Sequence, residues 1–245
     1  MTFKLRPILA EMKTLYSKPI SKSRFSEYIS KLQGGTKGDL ALPITGFNPM
    51  AKDHILQKIT ELEALEAEKL MHSTIETFNL NLATSKDQII SVVLNLADDR
   101  KGGWTNYYST DYESKFKLSA YVGRHFCVPY FWTSEAYTEN LIRTRTIEYL
   151  SRTAHRMNNP QPKTLEQHFE QEKYVARHTA ESFYENKEMD LESIATYYED
   201  NKKSEDYDVI FNFFYGDTGS ESLGYKKYGI IEKAGFNYAQ LKRRK

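Results

Sequence analysis

Apolar and polar residues alternate with a helical period through the first third of the chain. Between residues 5 and 16 the apolar side chains recur three and four positions apart, which predicts an amphipathic helix. A second, shorter helix is predicted for about residues 25–32. A long helix is predicted for about residues 49–78, because Asn48 can cap its free N–H groups and Pro49 suits its first position. The N-terminal region is therefore expected to be helical.

The pattern changes after residue 86. Residues 88–97, QIISVVLNLA, are rich in β-branched and apolar side chains, which indicates a buried strand. Residues 104–110 and 116–122 are predicted as partner strands, and the proline within residues 126–132 is typical of an edge strand or an irregular segment. Together these segments predict a small antiparallel sheet within about residues 86–132, packed against the long helix.

Helical patterns return in the second half of the chain. A helix is predicted for residues 138–157, and Thr164 can cap the helix that follows it. Residues 208–215, DVIFNFFY, are ambiguous between a strand and a helix end, and we favour a strand. The expected fold class is α+β, predominantly helical with the small antiparallel sheet described above.

A single globular domain is expected to span residues 1–245, since a chain of this length can bury a sizeable core. The sequence contains no internal repeat or low-complexity tract. A possible sub-boundary lies near residues 79–86, where a helical segment (residues 1–78) gives way to an α+β segment (residues 87–245).

The composition is that of a globular protein, with 40% hydrophobic and 27% charged residues. The net charge of +1 provides no global field that would draw the chain to nucleic acid or to a membrane. The single cysteine, Cys127, excludes an internal disulfide. No apolar stretch approaches the roughly 20 residues that a membrane span requires. We therefore expect a cytoplasmic protein that does not associate with a membrane.

Charge is unevenly distributed along the chain. Residues 1–38 carry an excess of +6, residues 181–208 an excess of −7, and residues 225–245 an excess of +6. Two interpretations stay open: the basic ends bind a polyanion, or they pair with the acidic stretch.

Acidic residues follow the predicted strand directly. Asp98 and Asp99 lie where metal-dependent phosphoryl chemistry often places its carboxylates, and Mg²⁺ prefers such oxygen ligands. Asp111 and Glu113 would converge on them from a returning strand. The alternative is a polar hairpin loop that turns at Gly102–Gly103, and we favour it because adjacent residues of an extended chain point to opposite faces.

A stripe of basic and aromatic residues is predicted on the helix at 138–157. At about 100° per residue, one face of this helix contains Arg145, Tyr149, Arg152 and Arg156, the arginine stripe. Guanidinium groups with an interleaved ring can bind phosphates or stack on bases. The alternative is an ordinary solvated helix face, on which Glu148 pairs with its arginine neighbours.

Arg143 projects from the opposite, apolar side of the same helix, near Ile147 and Leu150. Either it lies near the helix start and reaches water, or it is buried against an acid, for which Glu139 is the local candidate, because an arginine held among apolar groups needs a partner. Such a pair is either structural, the interpretation we favour, or holds the carboxylate or phosphate of a substrate.

The sequence contains no nucleotide-binding loop, zinc signature, nucleophile elbow or dinucleotide fingerprint. We therefore expect first a binding or interaction protein that holds an acidic protein or nucleic acid through the arginine stripe. The alternative is an enzyme, namely a Mg²⁺-dependent hydrolase or phosphoryl-transfer enzyme that uses the carboxylates of residues 98–113 and Arg143.

Overall fold

The structure is a computed structural model that describes residues 1–34, 39–51, 53–82, 88–100, 104–179 and 190–243. The chain forms two compact units. Unit 1 comprises Met1–Tyr107 and Ser119–Leu150, and unit 2 comprises Tyr108–Leu118 and Ser151–Lys245. The possible sub-boundary at 79–86 lies inside unit 1, and residues 83–87 are outside the described residues.

Unit 1 contains a parallel sheet and the helices that cover it. Its elements in chain order are β1 (Thr2–Leu5), α1 (Leu9–Tyr16), α2 (Lys22–Gln33), α3 (Asp53–Ala64), α4 (Ala67–Leu80), β2 (Ile89–Val92), β3 (Asn95–Ala97), α6 (Ser119–Val122), β4 (Phe126–Cys127) and β5 (Tyr130–Trp132). Helix α7 (Glu139–Asn158) begins in unit 1 and ends in unit 2. The predominance of helix expected from the sequence is confirmed.

The strands pair in the order β1-β2-β4 and β3-β5, and every pairing is parallel. The expectation of an antiparallel sheet is therefore wrong. It assumed a hairpin after Asp99, whereas the chain enters a helix, α5 (Tyr107–Phe116), before the next strand begins. Parallel neighbours need such crossover connections, and helices α1 to α4 connect β1 to β2 in the same way. The predicted turn at Gly102–Gly103 lies outside the described residues.

One ladder of hydrogen bonds continues from the β2–β4 pair to the β3–β5 pair. The main-chain N–H groups of Val93 and Asn95 donate to the carbonyl oxygens of Cys127 and Pro129 across the interruption. Beyond the last strand residues, Thr133 donates to the carbonyl oxygen of Ala97. The chain segments that follow β3 and β5 are therefore held side by side at the carboxyl edge of the sheet.

The predicted long helix at 49–78 is two helices, α3 and α4. They are separated at Glu66, which adopts a left-handed conformation with φ of 50°. This break has a structural role, because the Glu68 carboxylate on α4 accepts the N–H groups of Ile8 and Leu9 at the start of α1. Helix α4 also covers β1, where the rings of Phe3 and Phe78 lie 5.8 Å apart. A continuous helix, as the sequence alone suggests, is thus wrong.

Unit 2 consists of helices around an aromatic core. Its elements are α5, apart from its first residue, and α8 (Leu165–His178), α9 (Leu191–Asn201), α10 (Tyr207–Ser222) and α11 (Ala234–Lys242). The rings of Phe213 and Phe214 on α10 are fully buried in this core. Residues 208–215 are therefore helix, and the strand predicted there is wrong. Both segments predicted as partner strands, 104–110 and 116–122, likewise contain helix, in α5 and α6.

Among the described residues, no helix combines the length and apolar character that crossing a bilayer requires.

Candidate functional site

A polar cluster occupies the carboxyl edge of the parallel sheet in unit 1. Asp98 and Asp99 directly follow β3, and Thr133 and Ser134 directly follow β5. In parallel sheets, ligands bind outside the carboxyl ends of the strands, where the loops that follow different strands lie next to one another. This edge is consequently the part of the fold where a ligand site is expected.

Asp98 is the centre of this cluster, and its side chain is 1% exposed. One carboxylate oxygen, Oδ2, accepts the side-chain amide N–H of Asn48 at 2.9 Å. The other, Oδ1, lies 2.9 Å from Nε2 of His54 and accepts the hydroxyl of Thr133 at 3.2 Å. A buried carboxylate is costly unless donors compensate it, and three different segments of the chain supply these donors.

His54 connects this buried carboxylate with solvent. It lies in the first turn of α3, and 23% of its side chain is exposed. Because an ionised carboxylate can only accept, the Nε2–H group of His54 is the donor to Asp98, which leaves Nδ1 of the neutral ring as an acceptor. Within the described residues Nδ1 forms no hydrogen bond. The ring is thus oriented through one nitrogen and available at the other.

Asp99 has different partners from Asp98. Its Oδ1 accepts the main-chain N–H of Ser134 and the Thr133 hydroxyl, each at 3.0 Å, and its Oδ2 accepts the Ser134 hydroxyl at 2.5 Å. The two carboxylates nevertheless meet at Thr133, because its hydroxyl, which has one hydrogen, lies within hydrogen-bond distance of Oδ1 of both Asp98 and Asp99. Asp99 ties the end of β3 to the end of β5.

The segment after the aspartates folds back onto Asp98. The N–H and the hydroxyl of Thr105 donate to the main-chain oxygen of Asp98 at 3.0 and 2.9 Å. Trp104, next to Thr105, is exposed. An aromatic side chain therefore accompanies the cluster at the surface of unit 1.

No protein family, curated protein or solved structure matches the chain. The functional interpretation of the cluster consequently rests on its geometry.

The other predicted carboxylates belong to unit 2. Asp111 and Glu113 lie on helix α5 and not on a strand returning from Asp98, so the predicted convergence from such a strand is wrong. Asp111 is buried and accepts from Nζ of Lys115 at 2.6 Å and from the hydroxyl of Tyr215 at 2.7 Å. Glu113 pairs with Lys117 at 3.0 Å at the surface. In the described part of the chain, no group of three or more His, Cys, Asp or Glu side chains is arranged to hold a metal ion.

The arginine stripe is not an exposed face. Helix α7 forms almost as predicted, but Tyr149 and Arg152 are buried, so the prediction that all four side chains share a solvated surface is wrong. Arg145 pairs with Glu135, and its guanidinium lies 5.2 Å from the centre of the Phe131 ring. These side chains are committed to contacts inside the protein.

The last residue of the arginine stripe, Arg156, is half-buried near the end of α7. It donates to the side-chain oxygen of Gln161 and to the carbonyl oxygen of Asn159. Both contacts join the last turn of α7 to the residues that directly follow the helix.

Arg143 is exposed, and one guanidinium nitrogen donates to the hydroxyl of Ser73 at 3.1 Å. Of the two alternatives for Arg143, the one observed is the position near the helix start where the side chain reaches water, and it is not buried against an acid. In the described structure it pairs with Ser73 and not with Glu139.

His54, Asn48 and Thr133 were not identified from the sequence. Asn48 was interpreted only as a helix cap, and His54 is a single histidine in a helical pattern without a ligand-type spacing. A signal was present nonetheless, because polar residues that follow two apolar strands meet at one edge if those strands are parallel. Recognising it required the sheet to be identified as parallel.

Proposed function

We propose that unit 1 is a hydrolase domain in which His54 acts as general base and Asp98 orients it. The observation that carries this proposal is the pairing of a fully buried carboxylate with a partly exposed imidazole at 2.9 Å. A carboxylate that holds one imidazole nitrogen fixes the tautomer and stabilises the imidazolium that forms when the other nitrogen takes a proton. The position at the carboxyl edge of a parallel sheet supports the same interpretation.

The chemistry we propose is the hydrolysis of an acyl compound. Nδ1 of His54 takes a proton from a water molecule, and the water oxygen attacks the carbonyl carbon. The imidazolium then returns the proton to the leaving oxygen as the bond between carbon and that oxygen breaks, so that an acid and an alcohol are formed. Asp98 remains a carboxylate throughout and stabilises the charged imidazolium.

The experiment uses p-nitrophenyl acetate, an activated ester whose hydrolysis releases the coloured p-nitrophenolate. The full chain should hydrolyse it faster than His54→Ala does, and by about 100-fold or more if general-base catalysis operates. His72→Ala is the matched control, since His72 is an exposed histidine on α4 of the same unit. It should retain the rate of the unchanged protein.

Asp98→Asn and Thr133→Val test the role of the buried carboxylate and of its hydroxyl donor. Both variants should lower the His54-dependent rate while the protein stays folded, as judged by circular dichroism. Equal rates for the unchanged protein and for His54→Ala would remove the proposal.

The predicted Mg²⁺-dependent hydrolase shares Asp98 with this proposal, and the same assay separates the two. Under the proposal, EDTA and added Mg²⁺ leave the rate unchanged. A rate that requires Mg²⁺, together with a change in Trp104 fluorescence on titration with the ion, would favour the metal-dependent alternative.

Binding of an acidic protein or nucleic acid through the arginine stripe stays a prediction, which the burial of Tyr149 and Arg152 does not favour. A cytoplasmic location also stays a prediction, based on the single cysteine.

A further inference from the structure

A buried arginine donates hydrogen bonds to the segment that precedes the candidate site in the chain. Arg24 lies in the first turn of α2, and 3% of its surface is exposed. Its Nε donates to the carbonyl oxygen of Pro49 at 2.8 Å, and its Nη2 donates to that of Ala51 at 2.6 Å. Its Nη1 donates to the carbonyl oxygen of Lys18 at 3.0 Å. Two of these three bonds thus hold residues 49–51.

Arg24 is unusual in its choice of partners. A buried guanidinium ordinarily pairs with a carboxylate, because an uncompensated charge in the interior is costly. Among the described residues, Arg24 forms no ion pair, and its acceptors are main-chain carbonyl oxygens. The guanidinium carbon also lies 4.9 Å from the centre of the Tyr16 ring.

The same segment is held from its other side by Asp98. The side-chain amide of Asn48 donates to Asp98, and the main-chain oxygen of Asn48 accepts the hydroxyl of Tyr16 at 2.7 Å. Burial raises the pKa of that hydroxyl, Asp98 raises it further, and Arg24 lowers it. Tyr16 therefore lies within electrostatic reach of both buried charges.

Residues 48–51 are consequently fixed between a buried cation and a buried anion. The cation holds the carbonyl oxygens of Pro49 and Ala51, and the anion holds the amide of Asn48. One residue separates this segment from α3, whose second residue is His54. The segment is therefore close in the chain to the residue that contacts Asp98.

We propose that Arg24 is a positioning residue for the His54–Asp98 pair. The proposal rests on the function proposed above and assigns Arg24 an action through residues 48–51, without contact with substrate. Loss of its guanidinium releases the carbonyl oxygens of the segment. Asn48 and His54 then no longer hydrogen-bond to the Asp98 carboxylate at the same time. A purely structural role would lower the stability of the fold but would leave the tautomer of His54 unchanged.

The test compares Arg24→Ala with Arg6→Ala in the full chain. Arg6 is a matched control because it also donates to a main-chain carbonyl oxygen in unit 1, that of Ala41, but at the exposed surface. The readouts are the ¹⁵N chemical shifts of the His54 ring, which report its tautomer, its titration with pH, and the rate with p-nitrophenyl acetate.

We expect Arg24→Ala to lose the single Nε2–H tautomer of His54 and to lower the rate by about tenfold or more, since small misplacements of a catalytic group have effects of this size. Methylguanidinium added to this variant should restore both. Arg6→Ala should match the unchanged protein. If Arg24→Ala does not fold, Arg24→Lys replaces it, because an ammonium group cannot hold both carbonyl oxygens in the same geometry.

A folded Arg24→Ala or Arg24→Lys protein whose His54 shifts and titration equal those of the unchanged protein overturns the proposal. This outcome is independent of activity. If no His54-dependent hydrolysis exists, the function proposed above fails, while the tautomer measurement still decides whether Arg24 positions His54.

Discussion

The guanidinium of Arg152 meets the carboxylate of Glu172 at two points in the interior of unit 2. Nε of Arg152 lies 2.8 Å from Oε1 of Glu172, and Nη2 lies 2.6 Å from Oε2. The side chains are 1% and 3% exposed. The two residues lie on α7 and α8, and a planar pair of this kind fixes both the distance and the rotation of the two helices.

Removal of one member of this pair should be strongly destabilising. Glu172→Gln removes the carboxylate charge that meets the buried guanidinium of Arg152 at two points, and we expect the free energy of unfolding to fall by about 3 kcal/mol. Urea denaturation followed by circular dichroism measures this loss.

Glu170→Gln is the matched control, since Glu170 lies on the same helix in an ion pair with Lys173 but is half exposed. Its effect should be below about 1 kcal/mol. Equal denaturation midpoints for the two variants would contradict the interpretation of Arg152 as an interior structural residue.

A glycine of unit 2 is predicted to be irreplaceable. Gly216 has φ of 65° and ψ of −173° inside α10, and a Cβ atom there would lie 2.5 Å from the main-chain nitrogen of Glu232. Gly216→Ala should lower the free energy of unfolding by about 3 kcal/mol or more, from backbone strain and from this overlap.

Gly224 provides the comparison, because its φ is 73° but, apart from its chain neighbours, no atom of the described residues lies within 4 Å of a Cβ built there. Gly224→Ala should cost about 1 to 2 kcal/mol, from strain alone. Thermal unfolding of both variants separates the two contributions. A loss for Gly224→Ala as large as that for Gly216→Ala would show that steric overlap has no role.

The side chain of Asn79 satisfies main-chain groups of β1 at the edge that does not pair with β2. Asn79 on α4 accepts the main-chain N–H of Phe3 at 3.0 Å and donates to its carbonyl oxygen at 2.8 Å, as a neighbouring strand would. Asn79→Ala removes both bonds, and we expect a loss of about 1 to 3 kcal/mol in urea denaturation. Asn81→Ala, which removes an exposed bond to the Thr77 carbonyl oxygen, should change stability little. If both variants behave alike, the edge does not depend on Asn79.

The elements that the sequence predicted correctly are those whose type is determined by the pattern of side chains within the element itself. Residues 88–97 are extended, although the single strand predicted there is two strands, β2 and β3, and the helix predicted at 138–157 is α7. The direction of the sheet was wrong because it depends on the connection and not on the strand. Aromatic residues at 104–110 favoured a strand, yet the chain there enters α5. A uniformly apolar run such as 208–215 likewise fits a buried helix as well as a strand.

Only part of the candidate site could be predicted from the sequence, for a related reason. Asp98 was identified from its place after a buried strand, which is a local property. His54 lies 44 residues earlier, and its contact with Asp98 exists only once α3 packs beside the sheet edge. The prediction for the arginine stripe failed for a different reason. Its spacing is correct, but Glu172 on α8 pairs with Arg152 and Glu135 pairs with Arg145 on the face that the helix alone assigns to solvent.

Acid should destabilise unit 2 through a buried histidine. Burial lowers the pKa of His168, although the carbonyl oxygen of Thr164, which accepts from Nδ1 at 2.8 Å, and the charge of Glu172 act in the opposite direction. The unfolded chain takes up this proton below about pH 6.5, whereas the native state resists it. The stability that His168 contributes is therefore complete above about pH 6.5 and decreases as the pH falls below that value.

Urea denaturation between pH 7.5 and pH 5 tests this pH dependence. The slope due to one proton approaches about 1.4 kcal/mol per pH unit. His168→Phe keeps a ring against Phe116, whose centroid lies 5.2 Å away, and should flatten the dependence even if it lowers stability at pH 7.5. His178→Phe, at an exposed position of the same helix, should keep the slope of the unchanged protein. Parallel pH profiles for the unchanged protein and His168→Phe would assign the acid sensitivity to another group, of which His155, whose pKa burial also lowers, is the next to examine.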